Sequence, residues 1–140
     1  MKDDLAAPLY KDAETLYAFG YQCLNEGQFK KAANVFLLLL HSDPDRVRIL
    51  IGLGVCMRKL GRYGSARVAF EEAMKIEPED PRGACQLGIT LILLGKGGAG
   101  RRLLGAALAR SDGDVTRWSA LRKTIARVLD RGRIGSKLAS

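Results

Sequence analysis

A single histidine, His41, is all the imidazole in this chain of 140 residues. It stands beside Ser42 and Asp43 at the end of an apolar run, a place that suits a helix cap or a surface group. No paired carboxylates, nucleophile elbow or metal-ligand cluster occurs elsewhere. The chain is therefore expected to be no enzyme and to need no cofactor or metal. Cysteine is scarce too. Cys23, Cys56 and Cys85 form an odd set without C-x-x-C spacing, inside helical patterns where a free thiol behaves as a small apolar side chain. That usage fits a reducing cytoplasm. The longest strictly apolar run is only Val35 to Leu40, against the ~20 residues a membrane span requires, so no membrane insertion is expected. Met1-Lys2-Asp3-Asp4 carries early acids and does not read as a signal peptide.

What is present is ordinary in bulk and unusual in pattern. A hydrophobic content of 47% and a charged content of 27% suit one soluble domain. The net charge of +8 is unevenly spread: residues 1–45 carry −3, residues 46–113 carry +6 and residues 114–140 carry +5. An acidic front and a basic back favour self-association or an acidic partner.

Glycine recurs at a fixed step. Gly20, Gly54 and Gly88 are 34 residues apart, and so are Gly27, Gly61 and Gly95. The same offset superimposes Leu16 on Leu50, Phe29 on Tyr63, Ala32 on Ala66, Phe36 on Phe70 and Pro44 on Pro78. A 34-residue period with small residues at fixed places is the signature of a tetratricopeptide helix–turn–helix array. The expected fold is all-α: three such repeats in a right-handed superhelix, followed by a C-terminal capping helix.

The boundaries follow from turn and cap residues. A short arm over residues 1–12 precedes repeats over 13–46, 47–80 and 81–112, with helices near 13–26, 29–41, 46–60, 63–76, 81–94 and 97–110. Asp12 and Asp80 are expected N-caps, the latter with Pro81 at the first helical position. The cap is expected over 114–131, starting at Asp114, with 132–140 frayed. Its stripe is Val115, Trp118, Leu121, Ile125, Val128 and Leu129, opposite Arg117, Lys123, Arg127 and Asp130. The third repeat departs from the pattern, with Gly97 for the aromatic, Gly100 for the alanine and Asp112 for the proline. Glycine inside a helix costs ~1 kcal/mol relative to alanine, so the sixth helix is expected to be the weakest.

In tetratricopeptide proteins the first helix of each unit lines the concave wall with its second, fifth, ninth and twelfth positions. These are Glu14, Arg48 and Arg82; Tyr17, Ile51 and Cys85; Tyr21, Val55 and Ile89; and Leu24, Arg58 and Ile92. Tyr17, Tyr21, Leu24, Ile51, Val55, Arg58, Cys85, Ile89 and Ile92 are the candidate groove, suited to an apolar peptide. The alternative is burial against the C-terminal helix. The clamp that binds acidic chaperone tails uses Lys and Asn at the fifth and ninth places, where this chain has Tyr17, Tyr21 and Val55.

Gly95-Lys96-Gly97-Gly98-Ala99-Gly100 matches a dinucleotide fingerprint in form only, because the repeat register makes the preceding Ile89–Leu94 a helix rather than a strand. The basic last helix has Trp118 as its one aromatic, so no nucleic-acid binding is expected. Val35 to Leu40 is apolar all round, and Leu37, Leu38 and Leu40 are candidates for a homodimer contact unless the N-terminal arm covers them.

Asp12 to Tyr21, Phe36 to Pro44 and Gly52 to Cys56 together resemble the type III secretion chaperones of the SycD/LcrH class. Trp118 to Arg122 is similar to the ending of the SscB-type members. The resemblance implies a cytoplasmic, non-enzymatic chaperone. Its groove would hold a secreted hydrophobic translocator or effector and keep it soluble and export-competent. A needle-subunit chaperone of the same system, or a generic scaffold for an acidic partner, are the alternatives.

Overall fold

The computed structural model describes residues 12–139, with side chains described to Arg131. Every regular element among them is helical: α1 (Ala13–Asn25), α2 (Phe29–Leu40), α3 (Arg46–Lys59), α4 (Tyr63–Ile76), α5 (Pro81–Leu93), α6 (Gly97–Ser111), a 3-10 turn (Asp112–Asp114) and α7 (Ser119–Ala139). They fall into two compact units, one ending at Ile76 and the other beginning at Glu77.

The repeat is visible in the turns. Gly27, Gly61 and Gly95 have φ of 79°, 78° and 82°, the left-handed conformation that a Cβ disfavours. Each closes the same C-cap. The N–H groups of Gln28, Arg62 and Lys96 donate to the carbonyls of Cys23, Met57 and Leu91 at 2.8 Å each, while each glycine N–H donates three residues back. The starts are less uniform. The side chains of Asp45 and Asp80 accept from the N–H groups of Arg48 and Arg82, but Asp12 makes no side-chain cap. Only the Asp12 carbonyl is used, by the Leu16 N–H at 2.8 Å.

In the first unit α1 packs on α2, α2 on α3 and α3 on α4, with α1 also touching α3. Phe36 is fully buried, and its ring fills the gap left by two glycines, Gly20 on α1 and Gly52 on α3. A Cβ on Gly20 would lie 3.0 Å from that ring, and one on Gly52 2.7 Å. Gly54 meets the Phe70 ring in the same way. Cys23, Ala32, Leu39, Ile49 and Cys56 complete the core. Burial, with the nearby Cys23 as a minor contribution, pushes the Cys56 thiol up to about 11. A thiol so held is inert at neutral pH.

In the second unit α5 and α6 approach more closely still. A Cβ on Gly88 would stand 2.8 Å from the Gly100 carbonyl oxygen, and one on Gly100 2.5 Å from the Gly88 oxygen. Gly100 is thus the second half of a backbone-to-backbone contact, with Leu104 fully buried beside it.

The last helix begins later than its sequence suggests. Asp114 accepts from the Arg117 N–H at 3.0 Å but caps only a single turn, and α7 proper starts at Ser119. Its helical backbone runs to Ala139, beyond the expected end near residue 131. Arg122 fixes it to α6: Nη1 donates to Ser111 Oγ at 2.7 Å, to Asp112 Oδ1 at 2.6 Å and to the Leu108 carbonyl at 3.3 Å. This satisfies carbonyl-end groups of α6, where a cation is also favoured by the helix dipole. Ile125 is fully buried, whereas Val115, expected on the same stripe, is 54% exposed because it precedes the helix.

Candidate functional site

The expected wall of the first unit is two stripes at three- and four-residue steps: Tyr17, Tyr21 and Leu24 on α1, and Ile51, Val55 and Arg58 on α3. Tyr17 and Tyr21 have ring centroids 5.0 Å apart, and each meets Phe36 edge-on, at 6.1 and 5.3 Å. Both tyrosines and Leu24 are half-buried, seated on the unit's core with part of each side chain in solvent. Val55 and Arg58 are also half-buried, and the Arg58 guanidinium lies 5.7 Å from the Phe70 ring centre. Ile51 differs: it is 6% exposed and adds little surface.

Arg48 sets these stripes side by side. Its guanidinium lies 4.2 Å from the Tyr17 ring centre, donates 2.7 Å to buried Asp43 and forms a double hydrogen bond to Glu14. The hydrogen bond to Glu14, then that to Asp43, raises the Arg48 pKa despite partial desolvation, and the same guanidinium lowers that of Glu14. The wall of the first unit is therefore an apolar, aromatic surface with a fully paired charge at one end.

In the second unit the stripe on α5 is Arg82, Cys85, Ile89 and Ile92. Ile89 and Ile92 are half-buried, but Cys85 is 1% exposed and contributes no groove surface. Here the anticipated alternative is partly realised, because α7 packs on α5 and Val128 lines the same cavity as Ile89 and Ile92. An end repeat needs such a cover for its apolar side. That cavity has a volume of about 340 Å³, and Leu93, Arg101 and Arg131 complete its lining. Trp118, with Arg117 at 4.4 Å and Arg82 at 5.9 Å from its ring centre, lies at the other end of the stripe.

Reading α5 alone did not reach Leu93, Arg101 or Arg131. Val128 was visible as part of the capping stripe, but its partners on α5 were not. Leu37 and Leu38 are 44% and 51% exposed, as an intermolecular contact requires, whereas Leu40 is half-buried against its own unit's core. Residues 1–11, the alternative cover for that face, lie outside the described residues. Among the described residues no group of three or more His, Cys, Asp or Glu is placed to hold a metal. No described helix is long and apolar enough to cross a membrane.

Comparison with known proteins agrees with this architecture. PcrH bound to the chaperone-binding region of PopB superposes with a TM-score of 0.74 at 23% identity, over 84% of this chain and 94% of that one. The Yersinia enterocolitica type III secretion translocator chaperone SycD, in an alternative dimer, gives 0.78 at 21%, over 90% and 95%. In sequence, the Caenorhabditis elegans RNA polymerase-associated protein CTR9 is 45% identical over 69 residues, 49% of this chain but only 6% of that protein's length. The tetratricopeptide repeat model matches residues 24–84 and 57–125. With the 34-residue register, the glycine-capped turns and this match over most of its length, the chain belongs to the tetratricopeptide repeat family.

Proposed function

We propose that this protein is a cytoplasmic type III secretion chaperone that holds a hydrophobic segment of a secreted translocator or effector. The observation that carries the reading is the half-exposed wall of Tyr17, Tyr21, Leu24 and Val55 on a unit whose core is already filled by Phe36, Leu39 and Ile49. A client with membrane-inserting segments aggregates unless part of its apolar surface is covered. A rigid wall with paired charges at its end covers apolar side chains without leaving a buried ion unpaired. The likeness to PcrH, a protein seen with the chaperone-binding region of PopB, supports the same use of the fold. Leu37 and Leu38 serve a homodimer in this reading, and SycD supplies a dimeric relative in fold.

The test is affinity purification from the native host's cytosol at moderate salt, with mass spectrometry of the stoichiometric partner. Tyr21→Asp and Val55→Asp are expected to abolish co-purification of a secreted hydrophobic protein while the helical circular dichroism persists. Recovery of a small helical subunit instead indicates needle-subunit chaperoning. Recovery of acidic cytosolic proteins alone, insensitive to both substitutions, defeats the chaperone reading in favour of a scaffold.

A further inference from the structure

The cavity beside α7 is lined by four aliphatic side chains and two arginines. Ile89, Ile92 and Leu93 on α5 and Val128 on α7 supply its apolar lining; Arg101 on α6 and Arg131 on α7 complete it. Its volume of about 340 Å³ sits at the low end of the roughly 300–1,000 Å³ of ligand pockets, room for one or two large side chains rather than a whole small molecule. Leu93 is 54% exposed there, an apolar cost that an occupant would remove.

The two arginines decide the occupant's charge. Both are exposed, and neither forms an ion pair with any other described residue. Three of the unit's six carboxylates are engaged elsewhere, Asp80 with Arg82, Asp112 with Arg122 and Asp114 with the Arg117 N–H, and neither Glu77 nor Glu79 lines the cavity. Asp130 is exposed and follows Val128 by two positions, on a different side of α7. Residues 77–140 hold twelve Lys and Arg against six Asp and Glu, a net +6. Two guanidiniums drawn to one apolar cavity repel each other unless an anion lies between them, and a guanidinium pairs well with a planar carboxylate.

We infer that this cavity is a subsite for an acidic–aliphatic peptide segment, taking a Leu- or Ile-sized side chain while Arg101 and Arg131 bind carboxylates beside it. The inference rests on the chaperone reading for the source of the segment, which is the client itself. It adds a charge requirement that the aromatic wall of the first unit does not impose.

The test uses the full chain and two short, end-blocked peptides: a Leu-Leu pair flanked by glutamates, and the same peptide with glutamines. Binding is followed by fluorescence anisotropy and by methyl NMR. The acidic peptide is expected to bind about tenfold tighter at low salt, to shift the methyl signals of Ile89, Ile92 and Val128, and to lose its preference in the R101Q/R131Q double variant. Both arginines are exposed, so that variant is expected to keep the helical spectrum. Equal binding of the two peptides overturns the proposal, as do shifts confined to the first unit or a preference that survives R101Q/R131Q. If R101Q/R131Q alters self-association while the peptides bind alike, the cavity is a contact between copies and the proposal also falls. None of these readouts uses the client, so their failure leaves the Tyr21→Asp capture result standing; conversely, a failed capture leaves the peptide preference measurable.

Discussion

Glu14 and Arg48 occupy the same position in consecutive repeats, 34 residues apart, and their side chains meet in a double hydrogen bond, Nη2 to Oε1 at 2.5 Å and Nη1 to Oε2 at 3.1 Å. The second repeat here supplies a cation that reaches back to an anion one repeat earlier. The same guanidinium neutralises Asp43, whose side chain is 2% exposed, so the two partners are not equivalent.

Removing Arg48 leaves the Asp43 carboxylate buried without its cation, whereas removing Glu14 frees a group that is 79% exposed. Arg48→Ala is expected to destabilise the protein by about 2–3 kcal/mol, below the full cost of a deeply buried pair because Arg48 retains some solvent. Glu14→Gln is expected to have a much smaller effect. Urea midpoints at neutral pH, with unchanged slopes, check this; equal losses for the two variants would refute the assignment.

The helical glycines separate into those the packing requires and those it does not. Gly88→Ala places a methyl group 2.8 Å from the Gly100 carbonyl oxygen, a backbone atom that cannot rotate away, and is expected to cost about 1–3 kcal/mol. Nothing lies within 4 Å of a Cβ on Gly105, so Gly105→Ala is expected to stabilise α6 by about 0.5–1 kcal/mol. Thermal midpoints moving in the same direction for both variants would contradict the close approach of α5 and α6.

That contrast shows where the sequence was readable. The 34-residue step located six helices to within a residue or two because each repeat closes on the same contacts: glycine turns at 27, 61 and 95, and Gly20 on Phe36, Gly54 on Phe70, Gly88 on Leu104. Gly100 was harder. Read by propensity alone it weakens α6, because the carbonyl it faces belongs to another helix. The site followed the same divide. Tyr17 and Tyr21 were legible from their spacing, but the cavity that brings Arg101 and Arg131 to Ile89 and Ile92 depends on where α7 settles. Asp114 looked like the start of that helix, yet its cap serves one turn only.

Asp80 carries an acid-pH dependence. Burial alone would raise its pKa, but the side-chain and backbone hydrogen bonds from Arg82, with the charges of Arg82 and Arg117, outweigh burial and hold it below the ordinary carboxylate value. A depressed carboxyl contributes stability that is present above its unfolded pKa of about 3.9 and is lost as pH falls through the folded value. The stability of the native protein is therefore expected to fall more steeply below about pH 4 than that of Asp80→Asn. Glu14, also lowered by Arg48, titrates in the same direction and remains in both proteins, so the difference between the two curves isolates Asp80. Parallel curves from neutral pH down to about pH 2 would show that Arg82 does not hold the carboxylate.

Leu38 tests the exposed side of α2. Leu37 and Leu38 are adjacent on α2 and both stand in solvent, while Leu39 between Leu38 and Leu40 is fully buried and Leu40 leans on the unit's core. A substitution at Leu38 therefore alters surface without opening a cavity, and the proposed homodimer is the property it should change. Burying apolar area contributes roughly 25 cal/mol per Å², and introducing a carboxylate into the same contact adds a desolvation cost, so Leu38→Glu acts on association twice. Sedimentation equilibrium across a wide concentration range is expected to show a concentration-dependent mass for the native chain and a monomer for Leu38→Glu, with identical circular dichroism. A native chain that stays monomeric throughout, or a variant that associates as tightly, would remove these leucines from any contact between copies.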